Sequence, residues 1–240
     1  MKRNKLYRVT PWSFAWAILR QFFATARESG PRRAVRAVRH RISEAYHDWR
    51  LGIRTWNFVE LRELGIDNPA CNDYQPTDYR SLKRAFRYLR VRGNEEVFLD
   101  FGSGMGRAVL VAARYPFRRV MGVEVSHRLN TIAQEHLERA REKLRCKNVE
   151  LINADASAFR IPADVTVAYF YNPFGAELVS TVMRNIRASL LETPRKFTIL
   201  YKNPSPSGFD GYVGRCEWLI KRREFKCYSG HPFVIYEATP

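Results

Sequence analysis

Residues 97–112 read VFLDFGSGMGRAVLVA, two apolar runs separated by a turn with glycine at 102, 104 and 106. The first run is a short strand over 96–101 and the second a helix over 105–114. Glycine in the turn admits the positive φ that a tight strand-to-helix reversal needs. A strand–turn–helix unit of this kind commits a chain to layered α/β architecture if the alternation continues. It does continue: strands are expected over 119–125, 149–153, 165–171 and 196–201. Helices are expected over 77–92, 127–145 (with Ser126 as N-cap) and 175–191. The 165–171 strand is apolar enough to be central in a sheet covered on both faces. NPSPSGFDG (203–211) reads as a loop, and 215–239 as two further strands forming a terminal antiparallel pair.

The first 73 residues follow a different pattern, helical, aromatic and arginine-rich, so two segments are expected: a basic helical extension (1–73) and an α/β domain (74–240). Trp12, Trp16, Leu19, Phe22, Phe23 and Ala26 fall near one helical face. Arg20 and Gln21 interrupt that apolar run and leave it too short to span a bilayer. It reads as an amphipathic helix docking on the domain, or alternatively lying in a membrane interface. The ATA at 24–26 also fits, less well, a signal-peptide cleavage site. In PRRAVRAVRHRISEAYHDWR, Val35, Val38 and Ile42 form a stripe with Arg32, Arg36 and Arg39 around it. That pattern is either a solvated basic face or one that contacts a polyanion.

The net charge of +17 points to an anionic partner, nucleic acid or an acidic membrane surface. Cys71, Cys146, Cys216 and Cys227 are far apart, with no paired spacing, and the five histidines are scattered. No metal site is expected, and reduced thiols in a cytoplasmic protein follow.

The ligand of the glycine turn can be narrowed further. A dinucleotide fingerprint needs G-x-G-x-x-G, but the third position here is Arg107. A P-loop fails because no G-K-[ST] follows. Glycine-rich turns also occur in empty loops, so the neighbouring strand ends matter. Glu124 closes the second strand, where an acid accepts hydrogen bonds from ribose hydroxyls. Asp155 follows the third strand, where a carboxylate accepts from an adenine amino group. Adenosine is thus implied twice, without the complete pyrophosphate pattern of a dinucleotide.

Asp100–Gly106 (DFGSGMG), Glu124 and Asp155 together resemble the class I S-adenosylmethionine-dependent methyltransferases. The resemblance implies a Rossmann-like seven-stranded sheet, mostly parallel with an antiparallel end pair, and S-adenosyl-L-methionine as cofactor. It also implies that Gly102 and Gly104 approach the methionine part, which Asp100 orients. Glu124 would hold the ribose and Asp155 the adenine, with Ser103, Gly106 and Ala156 completing the set.

The fourth strand ends in YFYNPF. Asn172, Pro173 and Phe174 resemble a shortened N-P-P-[YF] motif of amino-group methyltransferases. There, carbonyls accept hydrogen bonds from the target nitrogen and the aromatic ring packs on the acceptor. A strand-terminating Asn-Pro turn is the plainer alternative. DYQPTDYR (73–80) resembles the loop before the same helix in non-SET protein-lysine methyltransferases, which implies Tyr74 and Thr77 as residues closing over the cofactor. Without that role they would be a packing aromatic and a helix N-cap. The expected function is N-methylation of a macromolecule, protein lysine before nucleobase. The competing expectation is a basic nucleic-acid- or membrane-binding protein that keeps the fold without turnover.

Overall fold

The computed structural model describes residues 11–56, 74–91, 93, 95–204 and 208–239, with backbone only over 11–15. Trp12 as a packing side chain, Cys71 and the helical pattern expected up to residue 68 therefore lie outside the described residues in whole or part. Two compact units divide between Arg50 and Leu51.

The first unit holds two helices, α1 (Pro11–Ser29) and α2 (Pro31–Leu51). Gly30 separates them with φ 86°. Its N–H donates to Ala26 O at 3.0 Å and its carbonyl accepts from Ala34 N at 3.2 Å. A left-handed glycine ending one helix and a proline at the first position of the next are both favoured. Arg41 Nη1 donates to Gln21 Oε1 at 2.9 Å, linking the two helices across Gly30.

The second unit begins with α3 (Tyr79–Leu89) and alternates thereafter: β1 (Val97–Phe101), α4 (Arg107–Ala112), β2 (Arg119–Glu124) and α5 (His127–Ala140). It continues through β3 (Val149–Asn153), β4 (Val167–Tyr171), α6 (Ala176–Glu192), β5 (Thr198–Lys202), α7 (Phe209–Val213), β6 (Leu219–Lys226) and β7 (Pro232–Ala238). The strands form one seven-stranded sheet in the order β3-β2-β1-β4-β5-β7-β6. β7 runs antiparallel to both β5 and β6, and every other pairing is parallel. β4 is the middle strand of the seven, as its apolar run predicts. The strand order reverses between β1 and β4, and in such sheets the crevice at the carboxyl ends of those strands is where ligands bind.

The period of two along the strands sorts the core into two layers. Phe98 and Tyr169 pack toward Phe86 of α3 and the apolar residues of α4. Leu99, Phe101, Ala168 and Phe170 pack toward Val182, Met183 and Ile186 of α6. Each fully buried aromatic of this kind contributes about 1.5–3 kcal/mol relative to exposure. Asp100 lies two residues beyond Phe98, on the α3 face, so the strand carries a carboxylate into a buried layer.

Several elements end earlier than their sequence pattern predicts. α4 holds only Arg107–Ala112, because the whole of 102–106 is taken up by the turn. α5 stops at Ala140 and passes into a 3₁₀ turn, Arg141–Lys143. Ser126 does cap α5, its Oγ accepting from Leu129 N at 3.3 Å. The N-cap of α3 is Asp78, whose Oδ1 accepts from Ser81 N at 2.8 Å, and Thr77 has a different use. Within the expected loop 203–211, Phe209 opens α7 and stacks on Tyr201 with ring centroids 3.9 Å apart. Burial of that ring, invisible to local turn chemistry, turns the loop into a helix.

Candidate cofactor site

A cavity of about 390 Å³ opens at the carboxyl ends of β1, β2 and β4. Tyr74, Thr77, Asp100, Gly102, Ser103, Glu124, Asp155, Ala156, Pro173 and Phe174 all line it. These residues come from five separate places in the chain, and the sheet topology brings them together. Gly104, Gly106 and Asn172 are not in the lining but support it.

Gly102, Gly104 and Gly106 have φ of 76°, 54° and 82°. At Gly104 the need for glycine is double: the backbone is left-handed, and a Cβ would run into the ring of Tyr74. At Gly102 a Cβ would stand 2.8 Å from Pro173 Cβ. The turn's seat also requires Gly122 in β2, where a Cβ would lie 2.8 Å from Ser103 Cβ and Val109 Cγ2. Gly122 was legible in principle, since glycine inside a strand signals close backbone approach. Asn172, directly after β4, is also left-handed with φ 38°. Asparagine tolerates that conformation better than most residues.

Glu124 is fixed by the turn itself. Its Oε2 accepts from Gly104 N at 2.8 Å and its Oε1 from Ser126 N at 2.8 Å. Burial raises its pKa, while these backbone donors oppose the rise. Asp100 is fully buried, and desolvation lifts its pKa well above the usual carboxylate range, with the Glu124 charge adding to the effect. Asp155 is held by its own turn, Oδ1 accepting from Ser157 N and Oγ, both at 2.8 Å.

The segment 74–78 is pinned at nearly every residue. Tyr74 Oη donates to Thr55 O at 2.9 Å, and Tyr171 Oη donates to Gln75 Oε1 at 2.8 Å. Thr77 Oγ1 and Tyr169 Oη share a hydrogen bond of 2.5 Å. Arg107, in the third-glycine position, is buried and holds the segment from below. Its Nε donates to Thr55 Oγ1 at 2.6 Å and its Nη1 to Thr77 O at 3.2 Å, with the guanidinium 4.5 Å from the Tyr79 ring centroid. His136 Nε2 accepts from Arg54 N at 3.3 Å while its Nδ1 donates to Met105 O at 3.1 Å, a structural use of a buried histidine.

Tyr169 and Tyr171 were missed by sequence reasoning, although both line the cavity. They sit two apart on β4 and so on one face with Asp100 across the sheet, a relationship that needs the strand order. Burial pushes the Tyr171 hydroxyl up to about 12, and the buried ammonium of Lys202 lies 3.7 Å from its ring centroid. Leu129, Glu177 and Thr181 complete the walls from α5 and α6.

The chemistry of the lining decides between ligands. Asp100, Glu124, Asp155 and Glu177 are carboxylates, and the single lining cation among the described residues, Arg107, is already engaged with Thr55 and Thr77. Such an acceptor-rich lining suits cationic and hydrogen-bond-donating groups better than an anionic pyrophosphate. The ammonium, sulfonium, ribose hydroxyls and adenine amino group of S-adenosylmethionine would meet acceptors in this lining. Ser103 lines the cavity, while its Oγ is buried against Gly122 of β2 without a hydrogen-bond partner among the described residues. No group of side chains that would hold a metal ion occurs among the described residues.

Residues 73–163 match the family model described as histone methylation protein DOT1. The match takes in the 74–78 segment, the glycine turn, Glu124 and Asp155. Among solved structures, an RNA methyltransferase from Salinibacter ruber in complex with S-adenosyl-L-homocysteine is similar. It is 20% identical, with 68% of this chain and 93% of that chain covered at a TM-score of 0.50. The magnesium protoporphyrin IX methyltransferase of Synechocystis PCC 6803, solved with bound SAM, is 11% identical over 67% of this chain and 79% of that one, also at 0.50. At such identities the likeness is one of fold. No protein of curated function matches the chain in sequence.

The sheet order and the similar solved structures give this chain the fold of the class I S-adenosylmethionine-dependent methyltransferases. The stretch similar to the DOT1 histone methylation model carries most of the residues that line the cavity.

Proposed function

We propose that this enzyme methylates an amino nitrogen on a macromolecule, protein lysine before nucleobase. S-adenosylmethionine supplies an electrophilic methyl group with a neutral leaving group, so positioning is the main demand on the protein. Asp100 orients the methionine part, Glu124 holds the ribose, and Asp155 accepts from the adenine amino group. Gly102 and Gly104 let the backbone approach, with Ser103, Gly106 and Ala156 shaping the turn and the adenine side. Tyr74 and Thr77 close over the cofactor.

The observation that carries the acceptor reading is the convergence of Pro173 and Phe174 with Tyr74, Thr77 and Asp100 on one cavity. Asn172 precedes them, left-handed and just behind the lining, and the resemblance to N-P-P-[YF] assigns its carbonyl groups to the target nitrogen. An amine must lose its proton before it attacks, and desolvation beside aromatic rings favours the neutral form. The preference for lysine rests on the similarity of 73–163 to a histone methylation model. Digestion of labelled product with protease or nuclease tests it. Label released as methyl-lysine supports the reading, and label surviving protease but lost to nuclease transfers it to a nucleobase. Asn172→Ala is expected to lower kcat by about 10²-fold or more with little change in cofactor affinity, as for loss of a positioned polar group.

A further inference from the structure

The two N-terminal helices carry a surface that the methyltransferase reading leaves unused. On α2, Val35, Ile42, Tyr46 and Trp49 are all exposed, Trp49 at 75%. Their spacing at 100° per residue places them within about 60° of arc. On α1, Trp16, Leu19 and Phe23 are exposed as well, Trp16 at 71% and Phe23 at 67%, again within about 60°. Each stripe is bordered on one side by arginines. Arg20 and Arg27 follow it round α1, and Arg32, Arg36, Arg39 and Arg50 follow it round α2. All six are exposed, whereas Glu44 and Asp48, the acidic residues of α2, are buried. Gln21 and Arg41, which join the helices, lie away from both stripes.

An isolated exposed apolar residue needs no explanation, but two contiguous stripes on paired helices do. We propose that the α1–α2 pair docks on an anionic lipid surface. Its apolar stripes enter the headgroup boundary and the bordering arginines contact lipid phosphates. This arrangement, apolar crest with cationic border and little exposed acid, is what binding in the plane of an interface requires. Self-association of the stripes would bring the arginine borders of two copies together, which like-charge repulsion opposes. Nucleic-acid binding would use the arginines but leave Leu19, Val35 and Ile42 uncovered, since aliphatic side chains offer bases no stacking surface. No helix among the described residues is long and apolar enough to cross a membrane.

The proposal does not depend on which acceptor is methylated, and its test reads binding alone. The full chain is floated with vesicles of phosphatidylcholine, with and without phosphatidylglycerol. Binding is expected only to the anionic vesicles and is expected to fall at high salt. Ile42→Ser with Trp49→Ser, and separately Arg36→Glu with Arg39→Glu, are each expected to weaken partition by more than about tenfold. Both variants are first required to bind S-adenosylmethionine as the unaltered chain does, which separates lost docking from lost folding. Lipid-quenched tryptophan emission is expected in the unaltered chain and is expected to decrease in Trp16→Ser with Trp49→Ser. Three results overturn the proposal. One is absence of binding to anionic vesicles, and another is vesicle binding insensitive to the apolar substitutions while an RNA oligomer competes it away. The third is a lipid-free dimer that the apolar substitutions dissolve.

Discussion

The ring of Tyr74 occupies the space into which a side chain at Gly104 would project, while its hydroxyl donates to Thr55 O at 2.9 Å. The left-handed turn and the segment that covers it are therefore one unit, and neither position tolerates change alone. Gly104→Ala adds a left-handed strain of about 1–2 kcal/mol to the collision. It is expected to lower the melting temperature and to weaken S-adenosylmethionine binding at least about tenfold, read by calorimetry. Adding Tyr74→Ala relieves the collision but not the strain. The two changes are expected to couple by more than about 0.5 kcal/mol; strict additivity would mean that the ring does not sit on the turn.

Glu124 and Asp155 look alike in sequence but differ in how the fold holds them. Both oxygens of Glu124 accept a backbone N–H, so Glu124→Gln turns an amide donor toward a donor. A loss of about 1–3 kcal/mol in denaturant unfolding is expected, together with weaker cofactor binding. Asp155→Asn keeps a carbonyl for Ser157 and is expected to change stability by less than about 0.5 kcal/mol. Equal stability losses would contradict this assignment.

Arg107 acts on the site through Thr55 and Thr77. Arg107→Ala removes two charge-assisted hydrogen bonds and leaves a gap beneath Tyr79, a cost of about 2–4 kcal/mol. Faster amide exchange at 74–78 is the specific expectation, with β3 and β6 unchanged. Uniform loss of protection would mean a general stability role instead.

The pKa values of Asp100 and Glu124 are both raised by burial. Between the ordinary carboxylate value, about 4, and these raised values, the folded chain binds more protons than the unfolded one. Stability without cofactor is thus fully present below about pH 4 as far as these two groups are concerned, and is lost as pH rises through their folded values. A bound cation beside Asp100 favours its ionised form, so saturating S-adenosylmethionine is expected to reduce this loss. Asp100→Asn is expected to flatten the same part of the profile. Melting temperatures across pH, with and without cofactor, check both outcomes.

Much of this organisation is legible in the residues. The apolar runs mark the strands within a residue or two, Ser126 announces α5, and the glycine turn, Glu124 and Asp155 lie together at one cavity, as their places after successive strands lead one to expect. The relationships that escaped are those that only the folded topology creates. Thr55 stands far up the chain from Tyr74 and Arg107, and nothing local pairs them. Asp100, Tyr169 and Tyr171 share a face only because β1 and β4 are neighbours in parallel register. Phe209 opens α7 and stacks on Tyr201, against the local proline- and glycine-rich pattern. Gly122 alone was recoverable, from its placement within a strand.

The central claim is transfer of a methyl group from S-adenosylmethionine to an amino group of a macromolecule. Its most direct test is incubation of the enzyme and labelled cofactor with fractionated cell extract, alongside Gly104→Arg, which fills the space held by the Tyr74 ring. The account predicts label in one macromolecular size class with the unaltered enzyme and none with the variant. Tight cofactor binding by the unaltered enzyme, with no label transferred to protein, nucleic acid or small amines, would contradict it.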